Sequence, residues 1–130
     1  MAAEDNDPGE AFEREWTRCA PWIEAALDHA GSAHGIEDVK ALVERRECRF
    51  WAWPNCACVT EAQIWPKAKW LLIWLAGGDL NELLTDVLPQ IEAYAVEEGC
   101  SRVWLVGRPG WERVMPTYKR AAVTLMKELV

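Results

Sequence analysis

The stretch that most narrows what this chain can fold into is Trp70-Leu-Leu-Ile-Trp-Leu-Ala76, an apolar run closed by Gly77-Gly78-Asp79. A run that is apolar on both alternations predicts a strand covered on both faces, and therefore a central place in a sheet. Leu80 to Glu98 follow with a helical period, Gly99 ends them, and Val103-Trp-Leu-Val106 is a second short apolar run. Two such runs joined by a helix-periodic stretch predict a strand–helix–strand crossover with the two strands parallel.

The rest of the chain is arranged around that unit. Residues 1–9 are polar, with Pro8-Gly9 as a breaker, and read as a disordered lead-in. From Glu10 a helical stripe of Phe12, Trp16, Cys19, Ile23, Ala26, Leu27 and Ala30 appears, with Pro21 predicting a kink or break near Cys19. A turn over Gly31–Gly35 leads to a second helix from Ile36 to about Arg46. The period then changes to two. Arg49–Trp53 and Cys56–Trp65 read as strands around a Pro54-Asn55 hairpin turn, and Pro66 ends the second. Short connections make these two and the central strand an antiparallel meander.

Asp79 followed by Glu82 predicts a capping box for the long helix, with Leu80, Leu84, Val87, Ile91, Tyr94 and Ala95 as its buried stripe. Pro89 predicts a kink midway or a restart near Thr85. Gly107–Gly110 leads to a short helix from Trp111 to about Thr117, and Ala121–Leu129 is expected as a last strand. The fold class is thus α/β (α+β), a mixed and mostly antiparallel sheet with flanking helices. It forms one domain over 10–130, with a helical part at 10–47 and the sheet with its crossover helix at 48–130.

A 51% hydrophobic composition is enough for one core at this length. The net charge of −7 is confined to residues 1–47, which hold 12 acidic and 5 basic residues; the remainder is neutral. Such an acidic module disfavours nucleic acid as a partner. Five cysteines among apolar neighbours fit reduced thiols in a cytoplasmic setting, and no signal-peptide pattern or membrane-length run is expected. Cys56 and Cys58 share a strand face but lack two further ligands, so they read as small hydrophobes and no metal site is expected. With two histidines and no nucleophile–histidine–acid pattern, triad chemistry is not expected.

Nine tryptophans exceed what a core this size is expected to hide. Trp22 falls off the first helix's stripe and Trp65 stands at a strand end beside Pro66, so these two are the expected partner-binding anchors. At least one is expected to be largely exposed in the isolated monomer, on an aromatic patch rimmed by acidic side chains. Arg108 and Arg113 flank Gly110-Trp111 and have two readings. They hold an anion between two guanidinium groups, as in a small anion- or nucleotide-binding module, or they tie the short helix to the sheet.

The element order, with Gly77-Gly78-Asp79, Gly99-Cys100, Gly107-Arg-Pro-Gly-Trp-Glu-Arg113 and Lys127-Glu-Leu129, resembles the GNAT superfamily of acyl-CoA N-acyltransferases. The resemblance is greatest to small divergent members encoded in phage and prophage genomes, some near virion-assembly genes. It implies a V-shaped cleft beside the central strand and a phosphate-binding loop at the start of the next helix, here Ala76–Asn81 with Gly77 and Gly78. It further implies Tyr118 as the acid that protonates the leaving thiolate, a role to set against plain packing at the end of an aromatic-bearing helix. Glu61 on the second strand shares a face with Val59 and Gln63, and reads either as a cleft-lining base for an amine nucleophile or as an ordinary solvent-side residue. The Gln or Arg that leads this loop in the superfamily is absent, and Asp79 stands where phosphates would lie. The expectation is therefore a phage- or prophage-derived protein of GNAT-like fold, catalytically degenerate, without a cofactor. It would act through protein contacts with phage structural proteins or itself, and be cytoplasmic or virion-associated. The alternative is a working acyltransferase that uses acetyl-CoA or another acyl-CoA.

Overall fold

The computed structural model describes residues 8–31, 33–107 and 110–129. Helix α1 (Pro8–Ala30) and helix α2 (Ile36–Glu44) precede strands β1 (Arg49–Ala52), β2 (Cys56–Trp65) and β3 (Ala68–Gly78). Helix α3 spans 80–97, strand β4 is Arg102–Leu105, and helix α4 is Trp111–Val114. The sheet order is β1-β2-β3-β4; the first three strands pair antiparallel, and β3 pairs parallel with β4 across α3. The mixed sheet and crossover agree with the sequence reading.

The two faces of the sheet carry separate cores. Trp16, Cys19, Ile23 and Leu27 of α1 and Val39 of α2 pack on Ala57, Val59 and Leu75. On the opposite face, Leu83, Val87, Leu88, Ile91 and Ala95 of α3 pack on Trp51, Cys58, Leu71 and Ile73. Leu71, Ile73 and Leu75 are all buried, and the residues between them pack partly. This gives β3 the double coverage that its apolar run requires. The only buried polar side chain among the described residues is Thr60, whose Oγ1 accepts the Trp51 indole N–H at 2.9 Å.

Several local expectations are corrected. Helix α1 starts earlier than expected, at Pro8, and the rest of the expected lead-in lies outside the described residues; a proline in a first helical turn lacks only an N–H that has no intrahelical partner there. The helix then continues through Pro21, so the expected break does not occur. Pro21 and Thr17, whose carbonyl loses its i+4 donor to the ring, both lie on the exposed side, where water can serve that carbonyl.

Of the two alternatives at Pro89, a kink or a restart near Thr85, the helix takes a form of the second: it resumes at Leu88, with Pro89 in the first turn of the resumed helix. Helix α3 begins as Leu80–Glu82, widens to a π turn over Leu83–Val87 and continues as Leu88–Glu97. Within it Leu88 N–H donates to the Leu83 carbonyl, an i+5 bond. The extra residue shifts the helix phase, so Leu83 and Leu88 join the core while Leu80, expected inside, is 43% exposed. At the other end Gly99 takes φ +78°, with Gly99 N–H donating to Val96 and Cys100 N–H to Ala95, the paired bonds of a glycine C-cap.

The expected last strand is absent. Residues 119–129 form no helix or strand and are all exposed. Their composition suits a strand, but in a single chain no neighbour pairs with them. Among the described residues, no helix is long and apolar enough to cross a membrane.

Candidate functional site

β3 is longer than the strand it pairs with. Its ladder to β4 runs from Trp70–Arg102 to Ile73–Leu105 and stops, while β3 continues to Gly78 against β2 alone. Beyond the last shared rung the strands part, and a cleft of about 480 Å³ opens between them. Leu72, Trp74 and Ala76 line it from β3, Leu105 and Gly107 from the β4 side. Leu83 and Leu88 of α3 and Trp111 and Met115 at α4 close one side; Ala26 and His29 of α1 reach it from the other. The walls are largely apolar and suit a thin, flexible, apolar ligand segment.

A bulge marks the mouth of the cleft. Val59 of β2 faces Leu75 while Thr60 faces Ile73, so Trp74 is an extra residue on β3 with no partner across the ladder. Its ring packs edge-on against His34 with centroids 4.9 Å apart. Trp111 seals the far end over Gly107, where an added Cβ would lie 2.8 Å from the Trp111 ring.

At the end of β3 the two glycines serve close packing. A Cβ on Gly77 would come 2.6 Å from the Trp22 carbonyl oxygen, so α1 lies directly on the strand backbone there. Gly78 has φ +102°, and a Cβ would meet the Asn55 carbonyl oxygen at 2.4 Å. The β1–β2 turn thus sits over the start of α3. Asp79 N–H donates to the Asn55 carbonyl at 2.8 Å, and Asp79 Oδ1 accepts the Glu82 N–H at 3.0 Å. Glu82 does not complete the predicted capping box. Its carboxylate instead accepts the Asn55 backbone N–H at 2.8 Å and the Asn55 Nδ2 at 3.1 Å. Partial desolvation would raise Glu82, but the hydrogen bonds from Asn55 and the Cys56 thiol outweigh it and hold the carboxyl below its usual range. Two carboxylates and a turn therefore occupy the helix start that an incoming phosphate would need.

Gly77, Gly78 and Trp22 come together at this end of the sheet. Trp22 is half-buried, with the Arg18 guanidinium 5.8 Å from its ring. Trp65 lies at the opposite end of the β2–β3 ladder, is 39% exposed, and meets Trp70 edge-on at 4.6 Å. Glu61 faces Leu72 across that ladder, and its Oε1 accepts from Gln63 Nε2 at 3.3 Å, while Gln63 Oε1 accepts the Trp104 indole N–H at 3.0 Å. Tyr118 is half-buried and donates its hydroxyl to Glu92 on α3 at 2.7 Å. Burial first, and then the Glu92 carboxylate, push its phenol pKa far up.

Arg113 is exposed on α4, Arg108 lies outside the described residues, and Glu112 pairs with Arg120. Cys56 and Cys58 are buried on the α3 side; burial pushes the Cys58 thiol up to about 12. Among the described residues, no group of three or more metal-ligating side chains forms. The cleft itself is implied by the resemblance, beside the central strand, but its lining residues Trp74, Trp111 and His29 are not singled out by the sequence.

No family model matches the sequence, and no curated protein does. Solved structures do. An aminoglycoside acetyltransferase, meta-AAC0020, from an uncultured soil metagenomic sample superposes with a TM-score of 0.61 at 12% identity, covering 90% of both chains. TTHA1254 from Thermus thermophilus gives 0.59 at 14%, covering 91% of each. A possible acetyltransferase from Clostridium difficile 630 gives 0.53 at 12%, covering 85% of this chain and 89% of that one. At such identities the likeness concerns fold alone: the chain shares the mixed α+β architecture of these structures, two of them acetyltransferases by description.

Proposed function

We propose that this protein keeps the acetyltransferase scaffold and its apolar cleft but has lost the anchor for the nucleotide end of acyl-CoA, and that it acts through protein contacts. One observation carries the reading: the start of α3 is occupied. Asp79 takes the Glu82 N–H, Glu82 takes Asn55, and Gly77 and Gly78 are filled by the Trp22 and Asn55 carbonyls. The apolar cleft fits an acyl or pantetheine-like arm. The helix start does not fit a pyrophosphate, because carboxylate repels phosphate and the capped N–H is already used. A role in a virion or its assembly is the form of contact that the sequence resemblance suggests, and Trp65, the more exposed of the two anchor candidates, is its natural contact point.

The second reading, an acyl-CoA-dependent N-acyltransferase, draws support from the open stretch of β3 and its bulge at Trp74. On that reading Glu61 accepts the amine proton and Tyr118 protonates the departing thiolate. The raised pKa of the Tyr118 phenol weakens it as an acid for that step. Isothermal titration with acetyl-CoA at physiological salt separates the two. No measurable binding is expected, and micromolar affinity would replace the first reading with the second.

A further inference from the structure

At the edge of the sheet farthest from β4, β1 is shorter than its neighbour. Their ladder runs from Ala52–Ala57 to Arg49–Thr60, and β2 continues to Trp65 beside β3 alone. A cavity of about 470 Å³ lies in this notch. Phe12, Phe50 and Tyr94 supply its apolar wall, and Arg46, Arg49 and Thr60 its polar groups. Phe12 and Phe50 meet edge-on, with centroids 6.1 Å apart.

The three polar groups share an unused donor capacity. Arg46 holds φ +63°, in the left-handed region. Its N–H donates to the Val43 carbonyl and the Glu47 N–H to Leu42, the paired bonds of a Schellman turn, so it stands where glycine is the usual residue. An arginine there carries a conformational cost that the turn itself does not offset. The Arg49 guanidinium lies 4.8 Å from the Trp51 ring and 4.4 Å from the Tyr94 ring, and two aromatic faces hold it in place. Acidic side chains outnumber basic ones by 21 to 14, yet neither guanidinium has a carboxylate partner among the described residues. Glu47, also on the cavity, is taken by Arg45 at 2.6 Å. Thr60 is 1% exposed and accepts the Trp51 indole N–H, while its own hydroxyl proton has no acceptor among the described residues.

We propose that this notch binds a small aromatic acid, its carboxylate held by Arg46 and Arg49 and its ring set among Phe12, Phe50 and Tyr94. A guanidinium fork matches a carboxylate with two parallel N–H bonds, and a fork already fixed between two rings loses little freedom on binding. The net charge of −7 opposes an anion at long range, but physiological salt screens charges beyond about 8 Å, so the two nearby guanidinium groups decide. The notch shares no residue with the cleft, and its occupancy is independent of what the cleft binds.

Isothermal titration of the full chain with 1-naphthoate, the neutral 1-naphthalenemethanol and inorganic phosphate tests it. Submillimolar binding of naphthoate is expected, with the alcohol and phosphate weaker by about tenfold or more, as loss of a charge-assisted pair or of the aromatic contact implies. Arg49→Gln should weaken naphthoate by a similar factor. Arg46→Gly separates ligand from fold: it removes the guanidinium and the strained backbone together, so affinity should fall while the melting temperature rises. Should Arg49→Gln not fold, Arg46→Gly decides alone. Absence of naphthoate binding, equal binding of the alcohol or of phosphate, or unchanged affinity in either variant would overturn the proposal. So would a lower melting temperature for Arg46→Gly, which would make Arg46 a structural part of the turn.

Discussion

Trp70–Ala76 and Ala121–Leu129 are similar as text, each a short, mostly aliphatic run, yet one is the spine of the sheet and the other lies wholly exposed. The difference is in their neighbours. The first run has β2 on one side for its whole length, β4 on the other for four rungs, and a helical layer on each face. The second follows a four-residue helix and meets none of these within its own chain. Apolar composition states that a segment needs cover, and says nothing about which molecule provides it.

Aspartate substitution tests the contrast most severely. Ile73→Asp places an unpaired carboxylate in the α3-side core, at a cost of several kcal/mol against a total stability of about 5–15 kcal/mol. A chain unfolded by circular dichroism is expected, and an unchanged melt would remove β3 from the centre of the fold. Aspartate at Leu125 is the matched control, and should leave the melting temperature where it was.

A smaller effect is expected at the end of β3. Gly77→Ala puts a methyl 2.6 Å from the Trp22 carbonyl, so α1 must shift. Destabilisation of about 1–3 kcal/mol should follow in a denaturant titration. A neutral result would mean that α1 does not rest on the strand backbone.

The smallest effect is a dependence on acidity. Glu82 has a folded-state pKa below its ordinary value of 4.5, so its contribution to stability is present above that value and is lost as pH falls through the lower folded one. The melting-temperature gap between the native chain and Glu82→Gln should therefore be widest at neutral pH and narrow with acidification. A constant gap would mean that the Asn55–Glu82 bonds do not form in solution.

What could be read from sequence follows the range of each interaction. The crossover from β3 through α3 to β4, the hairpin at Pro54-Asn55, the Asp79 cap and the Gly99 stop are set by residues close together in the chain, and patterning reveals them. The bulge at Trp74 is set by how β2 registers against β3, and its residue type carries no mark of it. Spacing places Glu82 in its own helix cap, but its carboxylate reaches Asn55, 27 positions away. The occupied helix start is therefore only half legible: Asp79 is visible in the sequence, while the closing turn is not. The expected, largely exposed tryptophan anchor is not found: Trp65, at a strand end, is 39% exposed and leans edge-on against Trp70, and Trp22 tucks in because Gly77 lets the helix come close.

The π turn in α3 absorbs its extra residue in place. Because the Leu88 N–H reaches back five residues to Leu83, one widened turn holds a residue more than an α turn of about four, and the helix on either side keeps its direction toward the sheet. Removing one residue from 83–87 would therefore restore an ordinary α turn and leave the Asp79 end on the Asn55 turn and Leu88 in the core. The middle of this helix can thus gain or lose a single residue while both of its ends stay where the sheet needs them.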